Sequence, residues 1–442
     1  MSSVTLSSWP AKKGSIGNRR PALSPRAPAL DAAGSAVSGW KVSVSLLAAI
    51  AVAGAMGTSS IVFSEPAIAD VLMGAVIVGL PLLGVTRFGN AALLNFSMWL
   101  VYVALALAGC AMATTMDTAL THQFVTLFLA LGAFILAGYI SADPEPRFKL
   151  VMTFYVVGCL IAAAAAFAGY FRIIPQAYDL FTNYGRARGT FKDPNVLGAA
   201  LTPAIVATVW VTLRAPLKQA AIAAAVALPL FMALLLTFSR GAWISTALSL
   251  LIAVWFALVT TRRTADYRRF AAVAALGTLA LVATLGTAIQ LEAVQDLFKE
   301  RANLDQSYDE GPEGRFGGQA KAVALILENP FGIGTHSFRD TYHHEEAHNV
   351  YLSQFMNAGW IGGTLYALSV AATLAAGFYA IRRRTALQGP IVIATASFAG
   401  LAFEGFVIDT DHWRHFFILM ALIWGLVDAE TPKPSTERRR ND

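Results

Sequence analysis

Long apolar runs separated by short polar breaks set the pattern of this chain. They fall near residues 42–63, 67–86, 91–113, 120–141, 150–171, 195–213, 219–238, 242–260, 270–290, 359–381, 389–408 and 415–428. A hydrocarbon core ~30 Å thick needs about 20 apolar residues per helix. The pattern therefore predicts an all-α, polytopic membrane protein with about 12 transmembrane helices. One interval breaks the rhythm: residues 291–358 hold no spanning run. A loop this long points to function rather than mere connection. Inside it, residues 314–328 set Ala320, Val323, Leu325 and Ile326 at helical spacing, with Lys321 and Glu328 among them. That spacing predicts a short amphipathic helix lying on the membrane surface. Asn329-Pro330-Phe331-Gly332-Ile333-Gly334 then ends it. The expected organisation is a disordered cytoplasmic tail over 1–40, a transmembrane domain over 41–428 with one large periplasmic loop at 291–358 containing short helices, and a cytoplasmic tail over 429–442.

Composition agrees. The chain is 56% hydrophobic and 14% charged, whereas soluble domains carry about 25% charged residues. A soluble enzyme on an anchor is excluded, because the apolar runs recur along the whole length. Residues 1–40 lack a continuous apolar stretch, so they do not read as a cleavable signal peptide by themselves. Cys110 and Cys159 both fall in apolar runs and read as small packing residues, with no disulfide framework. The net charge of +6 does not signal nucleic acid, because most basic residues map to short loops, where they set topology. Placing both termini in the cytoplasm satisfies the positive-inside rule in nearly every loop. The cations left on the outer side then gather at 172–194 and 291–358, with Arg240 and Arg414 beside them. Outward arginines concentrated in this way suggest anion binding.

Three segments carry candidate chemistry. His343-His344-Glu345-Glu346-Ala347-His348-Asn349 gathers imidazoles and acids, but its spacing is not the HExxH arrangement that sets two imidazoles on one helix face. No metal is expected there. An imidazole titrates near neutrality and suits general-base work; His343 and His344 otherwise read as exposed polar loop residues. Arg240, in Phe238-Ser239-Arg240-Gly241, sits in a short turn at a span end, where a guanidinium finds an anion or snorkels to water. In the third segment Arg186, Arg188 and Lys192 precede Asp193-Pro194-Asn195, a cap-and-start signal for the next helix. Glu404 lies inside a span, where an acid needs an arginine partner or a substrate hydroxyl. Asp70 and His122, near other span ends, read as packing or interfacial residues.

Together these blocks resemble the O-antigen ligase and polysaccharide polymerase superfamily of bacterial inner-membrane glycosyltransferases. The likeness rests on RARGTFKDPNVLGAAL at 186–201, TFSRGAW at 237–243, and GRFGGQAKAVALILENPFGIGTHSF followed by HNVYLSQFMNAGWIG within 314–362. The last block fits the family signature of His348, Asn349 and, after nine further residues, Gly359. The resemblance implies transfer of a glycan from undecaprenyl diphosphate to an acceptor on the periplasmic face, by metal-independent inverting displacement and without a cofactor. It implies that Arg188, Arg240 and Arg315 hold the diphosphate, and that His348 deprotonates or positions the acceptor hydroxyl. Arg186, Lys192, Asn349, His344 and Glu404 would support them, with His344 a rival for the base. The implied partners are the lipid-linked donor, lipid A-core or growing polysaccharide as acceptor, membrane lipids and a chain-length regulator. The ligase type is expected first and a Wzy-type polymerase of O-antigen, capsule or exopolysaccharide units second. A flippase would show two related halves with polar sites at mid-membrane; here the polar residues gather in one loop and at span ends. A non-catalytic scaffold leaves the outward arginines unexplained.

Overall fold

The computed structural model describes residues 29–261, 264–288, 311 and 314–430. The chain divides into two compact units, Met1–Val44 and Ser45–Asp442. The described part of the first unit is the start of helix α1, Ala29–Thr58. This helix begins earlier than the apolar run near 42, so the expected disordered tail is helical from Ala29 onward. Alanines at 29, 32, 33 and 36 favour that extension, alanine being the strongest helix former. Residues 1–28 and 431–442, the rest of the expected tails, lie outside the described residues.

The second unit continues through α2 Ile68–Leu82, α3 Asn90–Gly109, α4 Met116–Ala142, α5 Pro144–Tyr170, the single-turn α6 Tyr178–Phe181, α7 Pro194–Arg214, α8 Leu217–Leu236, α9 Arg240–Val259 and α10 Thr264–Ala288. It ends with α11 Arg315–Glu328, α12 Val350–Ile381, α13 Gln388–Glu404 and α14 Arg414–Glu430. Among the described residues, 7 stretches are long and apolar enough to cross a membrane by length and composition, and Ser43–Thr58 and Ile68–Leu82 are shorter apolar helices. The helical class expected from the sequence is found. Helices α13 and α14 have 17 residues each and are largely buried in the bundle.

Packing follows the rule for helices that cannot rely on the hydrophobic effect between apolar partners: small residues let backbones close in. A Cβ on Gly425 of α14 would meet the Ala137 carbonyl of α4 at 2.6 Å. Gly109 of α3 likewise faces the Asn357 carbonyl of α12, and Gly400 of α13 faces Ser245 and Ser249 of α9. Polar pairs join the same faces: Asn95 Nδ2 donates to Ser369 Oγ at 3.0 Å, and Trp424 Nε1 donates to Thr373 Oγ1 at 2.9 Å. The N-terminus of α3 has no side-chain cap of its own. Asp428 of α14 supplies one, its carboxylate accepting the N–H groups of Gly89, Ala91 and Ala92 at 3.1, 3.0 and 3.1 Å. Asp70, expected as a packing residue, accepts a bidentate pair from Arg414 at 2.7 and 2.6 Å. Cys110 and Cys159 are buried, free thiols, as the apolar runs suggested.

Candidate functional site

The first arginine segment is carried by a hairpin. Strands β1 Thr182–Asn183 and β2 Arg186–Ala187 pair antiparallel across Tyr184 and Gly185, whose φ values are +49° and +71°. Positive φ at both central residues is the type I′ requirement that matches strand twist in a two-residue turn. Gly189, at φ +54°, docks the hairpin on α5, where a Cβ would meet the Ala162 carbonyl at 2.5 Å. Asp193 caps α7 by accepting the Asn195 N–H at 2.7 Å, with Pro194 in the first turn, as its sequence predicts.

The hairpin aims its two arginines differently. Arg186 donates from Nε to the Thr237 carbonyl and from Nη2 to Asn195 Oδ1, both at 2.7 Å, and so clips the hairpin to the α8–α9 turn. Arg188 turns its guanidinium onto carbonyls of its own loop, those of Leu180, Lys192 and Asp179 at 3.2, 3.4 and 3.2 Å. Lys192 pairs with Glu65 at 3.0 Å. Arg240 opens the first turn of α9, behind the N-cap Ser239, whose hydroxyl accepts the Ala242 N–H at 3.3 Å. Gly241, next to it, lies against Glu404: a Cβ there would be 3.4 Å from Oε1. Glu404 ends α13 and is 1% exposed.

The second segment is built on a break in α12. Gly359 has φ +68° and ψ −172° inside that helix, a region essentially reserved for glycine. The helix therefore starts at Val350 rather than near 359, and the expected loop is shorter at its C-terminal end. Residues 330–334 fill the break. Ile333 and Gly334 donate to the Met356 carbonyl at 2.8 and 3.2 Å, and Trp360 donates to the Pro330 carbonyl at 2.9 Å, replacing the bonds the helix loses. Helix α11, predicted over 314–328, is seated by this contact, and Arg315 stands in its first turn.

From α11, Gln319 reaches the backbone carbonyls of His348 and Phe406 at 3.3 and 3.4 Å. His348 has φ +48°, its side chain is 30% exposed, and its Nε2 lies 3.2 Å from Glu345 Oε2. Asn349 caps α12, accepting from the N–H groups of Tyr351 and Leu352 at 3.1 and 3.3 Å. Val350 N–H donates to the Gly405 carbonyl at 2.9 Å. The C-terminus of α13 is thus a hub: Glu404 touches the Arg240 turn, and Gly405 holds the residue two positions after His348. These contacts connect the segments that carry Arg186, Arg240, Glu404, His348 and Arg315, while Lys192 pairs with Glu65 of the α1–α2 connection. His344 is exposed, as expected. His343 is not: it is 8% exposed, stacks on Phe338 with centroids 5.6 Å apart and packs against Gly318. An aromatic face folded back from earlier in the same loop was invisible to a reading of local polarity.

Sequence reasoning missed a second group at the same end of the bundle. His122, near the start of α4, sets Nε2 3.2 Å from Asp411 Oδ2. Its ring stacks on His412 at 3.8 Å and meets His336 edge-on at 4.8 Å. Gln354 Nε2 donates to Asp411 at 3.0 Å and is itself bonded by Tyr102. His336 Nδ1 lies 2.8 Å from Glu346 Oε1. Burial alone would raise the Asp411 carboxyl, but the His122 hydrogen bond and the nearby rings hold it below the usual carboxylate range. Burial, with His122 beside it, brings His412 down to about 3. Asp409, next along, is bonded by Ser353 Oγ at 2.7 Å; burial and the Asp411 charge push it up to about 7, against the Ser353 and His348 N–H bonds. Only the dipeptide Asp411-His412 was a local signal; its partners come from remote parts of the chain.

Compared with known families, residues 224–367 match the family model described as O-antigen ligase. The match includes Arg240, Arg315, His348, Asn349 and Gly359. No curated protein matches the chain. The family match over that segment and the apolar helices together support a multi-pass membrane protein that carries an O-antigen ligase-type region.

Proposed function

We propose that this protein transfers a glycan from undecaprenyl diphosphate to an acceptor hydroxyl on the periplasmic face of the bacterial inner membrane, as a ligase. One observation carries the reading. The O-antigen ligase match spans both Arg240 and His348, and the α13 C-terminus links the elements that present them. Arg240, Arg315 and Arg188 bind the diphosphate. Guanidinium forks stabilise the charge that develops on a departing diphosphate. Arg188 is held by three carbonyls of its own loop, which fix its guanidinium in place while leaving N–H donors for the donor's phosphates. His348 accepts the proton of the incoming hydroxyl, or orients it, as the new bond to the anomeric carbon forms and the diphosphate leaves with inversion. The donor arrives activated by its own leaving group, so the displacement calls for no nucleotide, metal or cofactor. The distribution of basic residues supports a topology with both termini in the cytoplasm.

The test is transfer in detergent from undecaprenyl-diphosphate glycan to candidate acceptors, without nucleotide or added metal. Transfer by the wild type that is lost in His348→Ala and in Arg240→Ala, at equal expression, is the expected result. Undiminished transfer in both variants refutes the site. Transbilayer movement of the donor without a new glycosidic bond refutes the enzyme and indicates a flippase. Product length separates the two enzymes, since a single transfer marks a ligase and a ladder marks a polymerase.

A further inference from the structure

We propose that His122, Asp411 and His412 form a binding site for one divalent transition-metal ion of the zinc class, which clamps α4 to the α13–α14 connection. The ligand chemistry fits, because such ions take imidazole nitrogen and carboxylate oxygen. One ligand atom from each residue lies within 4.8 Å of the other two. In a tetrahedral site with bonds of about 2.0–2.1 Å, neighbouring ligand atoms stand about 3.3–3.4 Å apart. The His122 Nε2 to Asp411 Oδ2 distance of 3.2 Å already meets that spacing. The remaining closure falls on His412, which sits in the connection rather than in a helix.

The surroundings have the second layer that metal ligands need to hold their orientation. Gln354 donates to the Asp411 carboxylate at 3.0 Å. The Thr126 hydroxyl lies 2.9 Å from His412 Nε2, which leaves Nδ1 as the ligating nitrogen. His336, edge-on to His122, has its Nδ1 on the Glu346 carboxylate at 2.8 Å. That pairing fixes the orientation of a ring packed directly against the His122 ligand. None of the three ligands is His348 or one of the arginines proposed to hold diphosphate, and the ion's role is to fix the connection that follows α13.

Cobalt(II) is the probe, because its visible spectrum reports both binding and tetrahedral geometry. The full-length protein in detergent, stripped with a chelator, is titrated with cobalt, and zinc is then added in competition. About one equivalent should bind with a tetrahedral spectrum and be displaced by zinc. His412→Ala and Asp411→Asn should abolish the spectrum, and His344→Ala should leave it intact. Thr126→Ala keeps all three ligands and should weaken binding by about 10–100-fold, so the test survives if a ligand variant fails to fold. Absence of stoichiometric binding by the wild type overturns the proposal. So does an unchanged titration in either His412→Ala or Thr126→Ala, or loss of binding in His344→Ala with folding retained. None of these readouts uses glycan transfer, so they stand or fall separately from the proposed reaction.

Discussion

Replacing Gly359 by alanine probes the joint on which the His348 loop is seated. An L residue at φ +68° and ψ −172° is strained by about 1–3 kcal/mol. The added methyl would stand 2.5 Å from the Pro330 carbonyl oxygen and 2.7 Å from the Phe331 carbonyl carbon. These are backbone atoms, so relief requires residues 330–334 to retreat. Retreat stretches the three hydrogen bonds between that segment and α12, made by Trp360, Ile333 and Gly334, each worth about 0.5–1.5 kcal/mol net. With one or two of them lost, the total is about 1.5–6 kcal/mol. The control is Gly74→Ala in α2, where a Cβ meets nothing within 4 Å and helix propensity favours alanine by about 1 kcal/mol. Thermal unfolding of both variants in one detergent should put Gly359→Ala well below wild type and Gly74→Ala at or above it. Transfer should fall as well in Gly359→Ala, because α11 moves with residues 330–334 and takes Gln319 from the His348 carbonyl. Equal melting temperatures for the two variants would refute this account of the break.

Three other substitutions test separate contacts. Asn349→Ala removes the α12 cap and should cost about 0.5–2 kcal/mol, whereas Asn349→Asp keeps the acceptor and should melt near wild type. Arg186→Ala cuts the clip to Thr237 and Asn195 and should lower stability by about 1.5–3 kcal/mol, seen as a lower midpoint in denaturant titration of the detergent-solubilised protein. Asp70→Asn leaves the Arg414 guanidinium without its carboxylate. Both side chains are 18% exposed, so the loss should be somewhat below the about 3–5 kcal/mol for a fully buried pair, measured by the same titration.

Features encoded within one stretch of chain were legible in advance. The apolar periodicity gives the helices, Asp193-Pro194-Asn195 gives the start of α7, and residues 314–328 give α11. Arg240 and His348 stand out in the sequence because charged and imidazole groups at span ends demand a reason, and their roles rest on the proposed reaction. What stayed hidden depends on partners far apart in sequence. Asp428 caps α3, Arg414 answers Asp70, and His122 finds Asp411; each of these acids or histidines taken alone looks interfacial. The break at Gly359 was also silent, because a glycine inside an apolar run looks the same whether it packs, bends or does neither. His343 was misjudged for a related reason: its polarity suggested solvent, and the Phe338 face that covers it is built by the loop's own fold.

The capping of α3 by Asp428 has a consequence for biogenesis. Helix α14 is made after every other helix described, yet from His415 to Leu426 every residue is buried, and it fills the space between α3 and α4. Until the ribosome has released it, the nascent bundle has a vacant slot, with the amide protons at the start of α3 lacking the carboxylate that caps them. A chain stopped just before Arg414 therefore loses more than a tail; it is left without the peg around which earlier segments were inserted to close.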